Sequence, residues 1–124
     1  MRKILFFIKG KVIKGKQRGK ILGFPTANIK LSQNIAEGIY ISKVKINKET
    51  FNAITFIGAA KTFNDVDIKA ESYILNFNRN IYGIEIEISL LKKIRENEKF
   101  ISEAKLIEAM NSDLKIAKEY FIGY

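Results

Sequence analysis

Apolar and polar residues alternate along most of the first three-quarters of the chain, which is the pattern of half-buried β-strands. The clearest case is residues 84–90, IEIEISL, where the alternation has no break. Further β-rich runs cover residues 4–13, 38–46, 51–58 and 70–77. Gly10 interrupts the first run and predicts a bulge or a close backbone approach. Residues 14–28 contain three glycines and are predicted to form a loop.

The hydrophobic period changes after Phe100, where a helix is predicted over about residues 102–121. Ser102 is a suitable N-cap, whereas Asn111-Ser112-Asp113 leaves open a division into two shorter helices. One apolar stripe recurs at three- and four-residue steps: Leu106, Ile107, Met110, Leu114, Ala117 and Phe121. Five or six short antiparallel strands followed by a helix predict a small barrel whose opening or edge the helix covers.

Composition limits the chemistry that this chain can perform. The length of 124 residues predicts one domain. Because the sequence has no Cys and no His, it excludes a thiol nucleophile, an imidazole base and a zinc site of the ordinary kind. The net charge of +9 favours phosphate-bearing partners, although the abundance of Lys also fits a plain compositional bias. We find no targeting or membrane-spanning segment and expect a soluble cytoplasmic protein.

The predicted loop places glycines among cations, an arrangement that suits an anion. Residues 10–16 match the glycine-lysine spacing of a P-loop, but Gln17 stands where Ser or Thr is needed, so we reject that motif. Gly15 and Lys20 still belong to a stretch in which backbone N–H groups and Lys or Arg side chains can surround a phosphate. A solvated hairpin loop with ordinary lysines explains the same residues equally well.

Two short segments carry the remaining candidate side chains. After Pro25, the only proline, Thr26 and Asn28 point the same way if the chain is extended, and their two oxygens can complete the shell of a nucleotide-borne Mg²⁺. The alternative is a turn in which both side chains bond to their own backbone. Glu71 shares a strand face with Tyr73 and Phe77, which makes it a candidate general base or merely an exposed first residue.

These segments resemble riboflavin kinase over nearly the whole chain. The strongest block is residues 10–29, with the family's Pro-Thr-Ala-Asn signature at 25–28. Further blocks follow in family-like order: Gly38-Ile39-Tyr40, Ile57-Gly58, Thr62-Phe63, Glu71, Tyr82-Gly83, Ile94-Arg95 and Lys99-Phe100. The sequence departs from the family pattern at Tyr73, where His is frequent, at Asn76, where an acid is frequent, and at Ala60-Lys61, where Arg-Pro is common.

The resemblance implies a mainly β fold, a six-stranded antiparallel Greek-key barrel with a C-terminal helix. It also implies transfer of the ATP γ-phosphate to the riboflavin 5′-hydroxyl, which gives FMN. Thr26 and Asn28 would bind Mg²⁺ with the nucleotide, Gly15 and Lys20 would lie in the phosphate loop, and Glu71 would be the base. Arg95 would belong to the segment that closes over the flavin.

We therefore expect one riboflavin kinase-like domain over residues 1–124, with the barrel at about 1–100. It should act as a monomer on riboflavin and ATP, and without nucleic acid or membrane. Two other interpretations remain: a flavin-binding protein with impaired catalysis, and a small basic barrel that binds single-stranded nucleic acid.

Overall fold

The fold is a six-stranded antiparallel sheet followed by one helix. The computed structural model describes residues 3–13, 26–59 and 68–123. The strands are β1 (Phe6–Lys11), β2 (Thr26–Lys30), β3 (Gly38–Ile46), β4 (Glu49–Gly58), β5 (Lys69–Ile74) and β6 (Glu85–Arg95), and the helix is α1 (Glu103–Ile122).

The strand order is β1-β6-β3-β4-β5-β2, and every neighbouring pair is antiparallel. Strands β3, β4 and β5 follow one another as a meander, and β2 returns beside β5, which is a Greek-key arrangement. The sheet curves into a half-barrel, and its edges meet where the Ile13 N–H donates to the Asn28 carbonyl at 2.8 Å. The expected mainly β fold with six antiparallel strands and a C-terminal helix is confirmed.

The two faces of the curved sheet bury two separate clusters. The inner face holds the larger core cluster, to which β2 contributes Ala27 and Ile29. The outer face carries the smaller one, where α1 packs through Ala117. We call this second group the outer cluster; its buried members are Ile39, Ile41, Ile54, Phe56 and Ala117. Since side chains alternate along a strand, Thr26 and Asn28 of β2 lie on the outer face.

Three buried hydroxyl groups cross the inner face. The Thr55 hydroxyl of β4 lies 2.7 Å from the hydroxyl of Ser42 on β3 and 2.8 Å from that of Ser72 on β5. All three residues are 0% exposed. Each hydroxyl therefore has a partner across the strands in a place that water does not reach, and the ladder joins three strands without a charged group.

Gly10 forms no bulge, and the group that approaches it closely is a side chain and not the predicted backbone. Gly10 pairs in regular register with Ile86. A Cβ at position 10 would lie 2.8 Å from the Cγ2 methyl of Ile29 on the opposite edge strand. The missing side chain therefore lets β2 approach β1 where the half-barrel closes.

The prediction of a loop over residues 14–28 is wrong at its end, because residues 26–30 form β2. In this strand Ala27 and Ile29 are buried on the inner face. The alternation lasts only five residues and follows directly on a proline, so sequence pattern alone did not separate it from the preceding loop. The residues of its partner β5 lie 39 to 47 positions further along the chain, from Lys30↔Lys69 to Thr26↔Tyr73.

Strand β6 is longer than the predicted run 84–90, because it continues to Arg95. The pairing with β3 shifts register between Ile39 and Tyr40 and again between Ile41 and Ser42. Each shift inserts an extra β6 residue, so Leu90 and Leu91 are both buried in succession. The period of two therefore ends before the strand does.

The C-terminal segment is one continuous helix and does not divide at Asn111-Ser112-Asp113. The predicted cap is confirmed, since the Ser102 hydroxyl accepts from the Lys105 N–H at 3.2 Å. Asp113 occupies a buried position in the middle of the apolar stripe, where its side chain has a partner on the sheet, described below. Across the described residues, no helix has the length and apolar character needed to span a membrane.

Replacing Thr55 by Val should destabilise the fold, because it keeps the shape but removes the hydroxyl that Ser42 and Ser72 contact. We expect Thr55→Val to lower the free energy of unfolding by about 1–3 kcal/mol in urea titrations followed by circular dichroism. The control Thr55→Ser keeps the hydroxyl and should cost less. Equal stability of wild type and Thr55→Val would contradict a stabilising role of the ladder.

Candidate active site

The pairing of β2 with β5 brings three of the predicted side chains together on the outer face. Asn28 is the direct cross-strand partner of Glu71, and Thr26 is the partner of Tyr73. Directly opposed residues of an antiparallel pair have Cβ atoms roughly 5 Å apart, close enough for their side chains to meet one substrate. The two segments that sequence analysis identified separately therefore lie side by side and form one candidate site.

The polar groups at this site are buried. Asn28 is 1% exposed and Glu71 is 7% exposed. In the described ranges, the Asn28 Oδ1 atom is the one buried side-chain polar atom without a hydrogen-bond partner. Leaving a buried acceptor unpaired costs free energy, so an oxygen kept in this state has a reason other than stability.

The donor set fits a hard divalent cation. Mg²⁺ prefers oxygen ligands, usually one or two from the protein together with water and substrate phosphates. The unpaired Asn28 Oδ1 and the Thr26 hydroxyl, two residues away on the same face, are ligands of that type. No group of three or more Asp or Glu side chains is placed to hold a metal within residues 3–13, 26–59 and 68–123.

Tyr73 contacts Glu71 directly. Its hydroxyl donates to the Glu71 Oε1 atom at 2.7 Å. Loss of hydration raises the pKa of Tyr73 well above 10, and the charge and hydrogen bond of Glu71 raise it further. The phenol therefore remains protonated and acts as a donor to the carboxylate.

Arg95 is fixed by a residue that sequence analysis missed. Its guanidinium donates to both carboxylate oxygens of Asp113 on α1, at 2.8–3.1 Å, and lies over the Phe100 ring at 5.5 Å. A two-pronged contact of this kind is strong and directional. Asp113 also raises the pKa of Tyr73 while Arg95 lowers it, so the pair acts electrostatically on that phenol. A carboxylate inside an apolar helical stripe was the available signal for Asp113.

Two further predictions concern the phosphate loop and the residues that share a face of β5. Gly15 and Lys20, the predicted phosphate-loop residues, lie outside the described residues and stay predictions. The expectation that Phe77 shares the face of Glu71 and Tyr73 is wrong, since β5 ends at Ile74 and Phe77 packs in the inner core. The turn after β5, where Asn76 has φ 54°, ends the alternation that the expectation assumed.

Comparison with known proteins identifies the family of this chain. A family model described as flavokinase, riboflavin kinase, matches residues 3–121. The chain belongs to the riboflavin kinase family. It is 37% identical over 122 residues to the bifunctional riboflavin kinase/FMN adenylyltransferase of Bacillus subtilis, which covers 94% of this chain and 39% of that protein.

Two further similarities support the same family. The chain is 41% identical over 119 residues to the trifunctional protein RibF/MnmA of Mycoplasmoides gallisepticum, which covers 94% of this chain and 18% of that protein. The riboflavin kinase structure from Trypanosoma brucei aligns with a TM-score of 0.63 at 27% identity, covering 92% of this chain and 78% of that one. The chain thus spans less than half of either of these two bacterial relatives.

The raised pKa of Tyr73 can be measured directly. Burial raises the pKa of Tyr40 as well, so two tyrosines should ionise late in a spectrophotometric titration of tyrosinate absorbance. The later of the two components, well above pH 10, should be missing from Tyr73→Phe, which keeps the contribution of Tyr40. The Tyr73 phenol ionises at a lower pH in the unfolded chain than in the folded protein. The stability that this group contributes is therefore fully present below about pH 10 and is lost as the pH rises further.

Tyr120→Phe is the matched control for this titration, since Tyr120 packs against the same outer cluster. That variant should retain the late component. An unchanged high-pH component in Tyr73→Phe would contradict the assignment.

Proposed function

We propose that this chain is a riboflavin kinase that transfers the γ-phosphoryl group of ATP to the 5′-hydroxyl of riboflavin. The observation that supports it most directly is the cross-strand placement of Asn28, with its unpaired oxygen, opposite the buried carboxylate of Glu71. The chain belongs to the riboflavin kinase family, and in such an enzyme this arrangement would bring a cation ligand and a proton acceptor to one substrate complex.

Glu71 acts as the general base in this proposal. The 5′-oxygen of riboflavin forms a bond to the γ-phosphorus of ATP while the bond from that phosphorus to the bridging oxygen of ADP breaks. The hydroxyl proton passes to the Glu71 carboxylate, and the products are FMN and ADP. Phosphoryl transfer needs mainly alignment, charge neutralisation and one such acceptor, all of which a chain without His or Cys can provide.

Thr26 and Asn28 are the residues that would hold Mg²⁺ carried by the nucleotide. When bound, the ion supplies neutralisation of the phosphate charge. The protein's own contribution is a pair of neutral oxygens on a strand whose register β5 fixes. Gly15 and Lys20 are proposed to contact the phosphates, and Arg95 to lie near the flavin, where Asp113 holds its guanidinium.

We also propose a monomeric cytoplasmic enzyme without a nucleic-acid or membrane partner. Thr26, Asn28 and Glu71 come from one chain, so the site needs no second copy. On β4, Phe51 packs against the inner core cluster and Phe56 belongs to the outer cluster, so these two rings do not form one stacking surface of the kind that binds single-stranded nucleic acid.

Replacing Glu71 by Gln should abolish most FMN formation, because the amide keeps the shape of the side chain but cannot accept the proton. We expect kcat to fall by about 10²–10⁴-fold with little change in KM, measured by chromatography of riboflavin, ATP and Mg²⁺ reactions. The control Glu85→Gln changes an exposed acid of β6 and should leave kcat unchanged. Near wild-type turnover by Glu71→Gln would show that the base is assigned wrongly.

Replacing Asn28 by Leu should weaken the binding of MgATP without lowering the stability of the fold. The change removes a buried oxygen that has no partner in the described structure, so thermal stability should stay level or rise. The KM for MgATP should increase by about tenfold or more, which corresponds to about 1.4 kcal/mol. A variant that loses stability but keeps its MgATP affinity would mean that Asn28 serves the fold and not the nucleotide.

A further inference from the structure

Tyr73 contacts the proposed base, Glu71, but takes no part in the bond changes of phosphoryl transfer. It lies two residues after Glu71 on β5, so both side chains stand on the outer face. Its hydroxyl reaches back along the strand and donates to the Glu71 Oε1 atom at 2.7 Å. A phenol–carboxylate contact of this length is a strong, charge-assisted hydrogen bond.

The ring of Tyr73 is itself held in place. It packs against the outer cluster, which α1 covers. Strand β5 lies between β2 and β4, and there Tyr73 is paired with Thr26 of β2 and with Ile54 of β4. The hydroxyl is therefore carried by a rigid aromatic ring with a fixed backbone on both sides, which makes it a better reference point than a long flexible side chain.

A glutamate side chain has three rotatable bonds, and a general base must keep its accepting oxygen within about 0.5 Å of the productive position. A donor that holds one carboxylate oxygen restricts the positions that the other oxygen can take. Tyr73 supplies such a donor from the strand that carries the base, so the two groups move together when β5 moves.

We propose that Tyr73 is a positioning residue for phosphoryl transfer, which orients the Glu71 carboxylate toward the riboflavin 5′-hydroxyl through its own hydroxyl group. This inference rests on the proposed function and adds a second residue to the same site. Tyr73 does not touch the reacting atoms in this scheme; its effect is transmitted through Glu71.

The test compares variants that differ only at the para position of this ring. Tyr73→Phe removes the donor and keeps the packing. Replacement of Tyr73 by 4-aminophenylalanine restores an N–H donor at nearly the same reach. Tyr120→Phe removes a hydroxyl from another ring packed against the outer cluster and serves as the matched control. Thermal unfolding of each variant is measured beside kcat and the KM values for riboflavin and MgATP.

Tyr73→Phe is expected to lower kcat by about 10- to 100-fold while both KM values stay within about twofold, since only the orientation of the base is lost. The 4-aminophenylalanine variant should recover most of that loss, and Tyr120→Phe should match wild type. A residue with a purely structural role would change thermal stability and KM without this selective, donor-dependent loss of kcat.

The outcomes separate this inference from the function on which it rests. A wild-type chain that forms no FMN overturns both. If wild type forms FMN while Tyr73→Phe keeps full kcat, or if the amino variant is as slow as Tyr73→Phe, only the positioning role is overturned.

Discussion

The register between β2 and β5 is the constraint on which the site depends. Side chains alternate along a strand, so a slip of one residue would turn Thr26 and Asn28 into the inner core and bring Ala27 and Ile29 to the outer face. The burial of Ala27 and Ile29 in the core opposes that slip, because the slip would remove both apolar side chains from the core. Hydrophobic packing on one side of the sheet thus sets the position of the polar groups on the other.

The two faces of the sheet carry different kinds of side chains. The inner face holds the larger apolar cluster and the hydroxyl ladder, and both serve stability. The outer face carries the polar groups Asn28 and Glu71 beside a smaller apolar cluster, with α1 packed against it. The ion pair between Arg95 and Asp113 ties the end of β6 to that helix. Removing one member of this pair would leave the other charge poorly solvated and unpaired, which costs free energy. The pair therefore couples the helix to the sheet next to the site.

Much of the fold was readable from local pattern, and the failures have physical causes. Alternation identified the strands with one buried face, and the helical stripe with its Ser102 cap identified α1. The start of β2 was missed because a five-residue strand after a proline gives too short a pattern. The end of β6 was missed because two bulges break the alternation that a period of two requires. Both features depend on partners distant in the chain.

The site was predicted less completely than the fold. Residue chemistry and a family resemblance made Glu71, Thr26 and Asn28 candidates, and the pairing of β2 with β5 brings these candidates together. The contacts of Tyr73 and Asp113 were not predicted. The first depends on which way a ring points along its strand, and the second joins residues 18 positions apart across a strand and a helix. The apolar stripe marks Asp113 as unusual, but nothing in the sequence identifies Arg95 as its partner or Glu71 as the partner of Tyr73.

The close contact between Gly10 and Ile29 has an evolutionary consequence. The two residues lie on the opposite edge strands of the half-barrel, and the methyl group of one occupies the space that a side chain on the other would need. Any lineage that gains a side chain at the first position must reduce the second, so these two sites should covary among homologues. Such linked substitutions would mark the seam of the sheet in an alignment, even though neither residue takes part in the chemistry.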